Sequence, residues 1–148
     1  MKTLITAAAL SLVAGAVHAC PNFAGNGYIV ETSGSQLYSP QSYQMVAGGS
    51  EDLSLCGQPG FGYVAYDPDF LLYYVQDGSY TLTFRAESNC DATLLIRDPY
   101  GNWFFDDDTA GNLNPLVNVG YGVDGAYSVW VGTVAPNTCG ANIIFETF

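Results

Sequence analysis

The feature that most constrains this chain is a period-two alternation of apolar and polar side chains that recurs through its length. In Ser79-Tyr80-Thr81-Leu82-Thr83-Phe84-Arg85-Ala86, Tyr80, Leu82, Phe84 and Ala86 share one face, and Ser79, Thr81, Thr83 and Arg85 share the other. A strand turns successive side chains to opposite faces, so this pattern predicts a half-buried antiparallel strand. Ala92–Arg97 repeats it with Leu94 and Ile96 inward, and Ala126–Gly132 repeats it with Tyr127, Val129 and Val131 inward. Ala141–Glu146 closes the chain in the same way. Further strands are expected at Gly27–Glu31, Ser42–Ala47, Asp52–Cys56, Phe70–Val75, Trp103–Asp106 and Leu116–Val119.

Turn residues punctuate these runs. Asp77-Gly78 and Asp124-Gly125 each precede a strongly alternating segment, as hairpin or turn residues do. Eight to ten short strands at this spacing predict an all-β fold, an antiparallel β-sandwich or jelly roll. With 49% hydrophobic and only 11% charged residues, the chain has the apolar surface for a packed core, unlike a disordered one.

The first nineteen residues read differently. Lys2 supplies a positive start, Leu4–Ala16 is an uncharged apolar run, and Val17-His18-Ala19 ends in small-residue form. That is the pattern of a cleaved secretory signal, too short for a comfortable membrane span. Residues 20–148 are then expected to form one domain in the periplasm or outside the cell. Cys20 follows the cut directly, which raises lipidation. His18 stands where a lipoprotein signal wants a small residue, and lipidation would leave an odd number of cysteines.

Removing residues 1–19 removes Lys2 and His18, the chain's lysine and histidine. Arg85 and Arg97 then face all fourteen acidic groups. Ser-His-Asp and Cys-His catalysis need an imidazole, and a Ser-Lys dyad needs a lysine. Zinc sites built on histidine are excluded with them. The acidic balance opposes nucleic acid and anionic membranes as partners. What composition leaves open is binding, carboxylate chemistry such as glycoside hydrolysis by paired acids, and calcium.

Cys20, Cys56, Cys90 and Cys139 stand far apart with no CxxC pair, which argues for disulfides rather than a metal or redox site. Four cysteines allow three pairings, and sequence alone does not choose among them. The preferred one is Cys20–Cys56 with Cys90–Cys139. Each such bridge would contribute roughly 3–4 kcal/mol in the chain-entropy model.

The second half resembles a bacterial pre-peptidase C-terminal (PPC-like) domain. The matching strands are Gly78-Ser79-Tyr80-Thr81-Leu82, Cys90-Asp91-Ala92-Thr93-Leu94-Leu95-Ile96 and Gly125-Ala126-Tyr127-Ser128-Val129-Trp130-Val131. They resemble that family's G-x-Y-x-L, D-x-x-L-x-L and G-x-Y-x-V-x-V elements. The chain beyond the export segment is also similar to small exported bacterial proteins that share Cys20-Pro21, Ala47-Gly48-Gly49, Asp107-Asp108 and Trp130-Val131-Gly132-Thr133. Some of those carry a serine-peptidase label, but residues 20–148 hold no catalytic histidine. The resemblance implies a non-catalytic β-sandwich of peptidase-associated origin that aids secretion or binds surfaces and substrates.

Three sets of residues are candidates for function. The loop Asp106–Asn114 is the densest oxygen cluster, and Asp106, Asp108, Asn112 and Asn114, with Asp91 and Asp98 flanking a neighbouring strand, could ligate calcium. The loop lacks the EF-hand register, and adjacent aspartates repel unless a cation joins them. Trp130 faces away from Tyr127, Val129 and Val131, so an uncovered outer face would make it a binding platform. Trp103, and Tyr63 within the tyrosine-rich Gly62–Val75 segment, extend that reading. The expected function is a secreted, non-catalytic binding or accessory module for a cell-surface glycan or protein. The alternatives are a calcium-stabilised envelope protein and a carboxylate-dependent glycoside hydrolase.

Overall fold

The structure, a computed structural model, describes residues 19–148. The expected export segment lies, but for Ala19, outside the described residues. Eleven strands follow one another in the described chain: β1 (Tyr28–Ser33), β2 (Gln41–Ala47), β3 (Glu51–Asp52), β4 (Tyr63–Val64), β5 (Phe70–Val75) and β6 (Thr81–Ser88). β7 (Ala92–Arg97), β8 (Trp103–Asp106), β9 (Leu116–Tyr121), β10 (Gly125–Thr133) and β11 (Cys139–Thr147) complete the set. One helical turn, α1 (Gly34–Leu37), links β1 to β2. Ser33 and Gln36 form a reciprocal capping box around it, a Ser-x-x-Gln signal present in the sequence.

The strands form two packed sheets, so the all-β sandwich is correct. The smaller sheet has the order β2-β11-β6-β9 and is antiparallel throughout. In the larger, β10 is central, with β7 and β8 on one side and β5 and β1 on the other. The expectation of a wholly antiparallel fold needs one correction: β1 pairs β5 in parallel, from Tyr28↔Phe70 to Ser33↔Val75. The expected strand Asp52–Cys56 is also corrected. Pairing ends at Asp52, whose carboxylate accepts from Ser54 N at 2.9 Å and starts a 3-10 turn over Leu53–Leu55.

The alternation places the main core as expected. Leu82, Phe84 and Ala86 of β6 meet Leu94 and Ile96 of β7 and Tyr127, Val129 and Val131 of β10 between the sheets. Phe84 packs its ring 5.6 Å from that of Phe145 and 5.7 Å from that of Tyr127, pairings of about 0.5–1.5 kcal/mol each beyond area burial.

The larger sheet buries its second face as well. Leu53 and Val64 fold over Leu95 and Trp130, with Trp103 and Phe105 at the side. The segment supplying that cover is tied down by disulfide Cys20–Cys56, and the second bridge, Cys90–Cys139, joins β11 to the turn before β7. The preferred pairing is the one observed.

Candidate functional site

The larger sheet contains a gap. β10 pairs β5 from Gly125 to Val129 and β4 at Thr133, which leaves Val131 with no strand partner on that side. A buried, unpaired backbone group costs about 1–3 kcal/mol. Here two non-strand groups fill the places. Asp69 Oδ2 accepts from Val131 N at 2.8 Å, and Gly48 N donates to Val131 O at 2.9 Å. The Gly48-Gly49 corner can come so close because a Cβ at Gly49 would lie 2.1 Å from Val64 O, and Gly48 has φ +98°.

Burial pushes the Asp69 carboxyl up from an ordinary 3.8 to about 7, only partly offset by the Val131 N–H. Asp69 lines an aromatic groove of about 450 Å³ with Tyr28, Tyr43 and Phe70. Tyr28, 62% exposed, stands at its mouth, with its ring 5.7 Å from that of Phe70 and 5.9 Å from that of Tyr43. Nothing in the sequence pattern marks Asp69, because its environment arises from a break in a distant strand's pairing.

A larger groove of about 710 Å³ lies over the smaller sheet. The alternation that turns Phe84 and Ala86 inward turns Arg85 and Glu87 outward. The register sets Asn142 opposite both Gln44 and Glu87, making a polar row across three strands. Asn89, Asn112 and Asn114 reach the groove from neighbouring loops. Asn112 and Leu113 hold left-handed backbone, φ 55° and 59°, a strained conformation that in non-glycine residues clusters at functional sites. The polar and aromatic grooves share Gln44 and Met45, so they meet across the edge strand β2.

Arg85 is saturated. Its Nε donates to Glu146 Oε1 at 2.8 Å, and its other arm bonds Glu87. Glu87 is the one acid among the residues lining the polar groove. A glycosidase needs two carboxyl groups facing each other across the bond to be broken. This groove offers one, bound to a guanidinium, so the hydrolase alternative has no acid pair there.

The expected calcium set does not converge. Asp91 and Asp98 lie at opposite ends of β7, roughly 20 Å apart at strand rise. Asp98 is buried and accepts from Tyr100 N, Asn102 N and Asn102 Nδ2, all within its own turn. Asp106 accepts from Thr109 N and Oγ1 and from Leu116 N, and Asn114 Oδ1 accepts from Ser88 N. These side chains fix turns. Asp107 and its neighbours do crowd: burial, then Asp108, Asp106 and Asp91, raise its carboxyl above the usual range. Asp108 itself is exposed. Among the described residues no three acidic, histidine or cysteine groups come together as a metal set.

The expected tryptophan platform is corrected too. Trp130 is 0% exposed, because Leu53 and Val64 cover the outer face of β10. Trp103 is half-buried with its ring 5.6 Å from that of Trp130, and Tyr63 is half-buried in β4 opposite Thr133. Asn112 and Asn114, proposed as cation ligands, instead face the polar groove.

Among the described residues no helix is long and apolar enough to cross a membrane. No family model and no curated protein matches the chain. Among solved structures it is similar to the crystal structure of Aeromonas hydrophila PliG, a periplasmic lysozyme inhibitor of g-type lysozyme. The likeness has a TM-score of 0.40 and 12% identity over 83% of this chain and 100% of that chain.

Proposed function

We propose that the protein is a secreted, non-catalytic binding module whose polar groove takes a glycan chain. The observation that carries this reading is the row Gln44, Asn142, Glu87, extended by Asn89, Asn112 and Asn114. Primary amides present a donor and an acceptor in one plane, matching the paired donor and acceptor character of vicinal hydroxyls. The adjoining Tyr28 and Phe70 offer an apolar surface for a sugar ring at the edge of the same site. Residues 20–148 contain neither histidine nor lysine, and the one acid lining the polar groove, Glu87, is bound to Arg85, so a chain in that groove meets no acid pair for hydrolysis. The resemblance to PPC-like domains supports an accessory role of the same kind, and the export segment supports a periplasmic or extracellular setting.

The test is a pull-down on insoluble polysaccharides and peptidoglycan, followed by calorimetric titration with soluble fragments of any that retain the protein. Retention by at least one polymer, weakened by Asn142→Ala and by Asn112→Ala, is expected. Retention by none, or retention untouched by both substitutions, refutes the reading.

A further inference from the structure

Among the described residues, the ion pairs all involve Arg85. Arg97, the other arginine, has no carboxylate partner in a chain that carries fourteen acids. Its neighbour Asp98 is occupied by its own turn. Arg97 ends β7, opposite Trp103 and Ser128, on the outer face of the larger sheet. Its guanidinium carbon lies 4.1 Å from the centroid of the Phe23 ring and 5.8 Å from that of Trp103. Stacking on aromatic faces holds the plane of a guanidinium while leaving its edge donors free.

Arg97 lines a pocket of about 490 Å³ together with Asn26, Tyr73 and Ser128. The wall carrying Phe23 is built in advance. Asn22 N donates to Tyr66 O at 2.7 Å, Gly25 N closes a turn on Asn22 O at 2.9 Å, and Cys20 is bridged to Cys56. Ser128 Oγ reaches Phe23 O at 3.4 Å. A wall fixed in this way reduces the ordering cost of binding.

We propose that this pocket is a carboxylate-binding site in which Arg97 grips the anion through two parallel N–H···O bonds. A planar carboxylate matches the guanidinium fork. The single charge also suits one arginine in a strongly acidic protein better than a phosphate dianion does. The carboxylate could belong to a peptide C-terminus or to a sugar acid, and the probes separate the two. The site lies on the sheet opposite the polar groove, so its test is independent of the glycan reading.

Trp103 stands beside Arg97, so tryptophan fluorescence of the intact protein reports occupancy. Two probe pairs are titrated: a tripeptide with a free C-terminus against its C-terminal amide, and glucuronate against glucose. In at least one pair the acid should bind about tenfold or more tightly than its neutral partner, the loss expected when a charge-assisted bond is removed. Arg97→Gln should abolish that difference, and Arg97→Lys, which keeps the charge and loses the fork, should weaken it. Preference in the peptide pair assigns a C-terminus, and preference in the sugar pair assigns a sugar acid. Equal affinity of acid and neutral forms in both pairs overturns the proposal, as does no saturable signal from any probe. The probe comparison uses the unaltered protein, so it stands even if a variant fails to fold.

Discussion

Replacing Asp69 by asparagine isolates one carboxyl on which the pairing of β10 depends. Asparagine still offers an oxygen to Val131 N but cannot ionise. In the native protein Asp69 holds its proton to about pH 7, whereas in the unfolded chain it releases it near 3.8. Below 3.8 both states are protonated and burial costs nothing in charge. Between these values only the unfolded chain ionises, so stability falls by about 1.4 kcal/mol per pH unit. The fall levels off above pH 7, after a total of about 4 kcal/mol across the roughly three-unit gap. Asp69→Asn removes this term alone. Urea unfolding of both proteins at pH 4 through 8 should therefore show the variant gaining on the wild type by about 4 kcal/mol, or on the order of 10 °C in melting temperature. The other carboxyls titrate alike in both proteins and cancel in the difference. A difference constant across that range, or an Asp69 carboxyl that titrates near pH 4 by carbon-13 NMR, refutes the reasoning.

Trp130→Ala, which empties the second core beneath Leu53 and Val64, should cost about 3–5 kcal/mol by chemical denaturation. The intact protein's emission should also contain a component typical of a tryptophan shielded from water. The two partners of Arg85 should separate in the same assay. Glu146→Gln, at a side chain only 10% exposed, should cost about 2 kcal/mol, after allowing for the partial exposure of Arg85. Glu87→Gln, at a side chain 55% exposed, should cost less than about 1 kcal/mol. Thermal melts with and without chelator should coincide, because both oxygens of Asp98 and of Asp106 already accept from backbone or side-chain donors. A lower melting temperature in chelator would show that a cation gathers the Asp106–Asp108 loop.

The sequence by itself determined the class of fold and which face of most strands turns inward. Period-two alternation carries both, since a slip of one residue would expose Phe84 and bury Arg85. It also set a chemical limit on residues 20–148: they hold neither histidine nor lysine, so no imidazole or amine side chain is there to carry a proton. Tertiary structure alone decided which residues share a site. Trp130 read as outward, and it is, but a central strand has a second face to cover, and the cover comes from residues 53–64, far away in sequence. Asp98 and Asp106 read as cation ligands because composition shows oxygens without showing which donors already hold them. Asp69 and Arg97 carry no local signal. One becomes a buried carboxyl because β5 and β4 leave a gap beside Val131. The other becomes a free cation because Phe23 and Trp103, rather than an acid, pack against it. Local pattern is set by neighbours along the chain, whereas burial, charge pairing and grooves are set by neighbours across it.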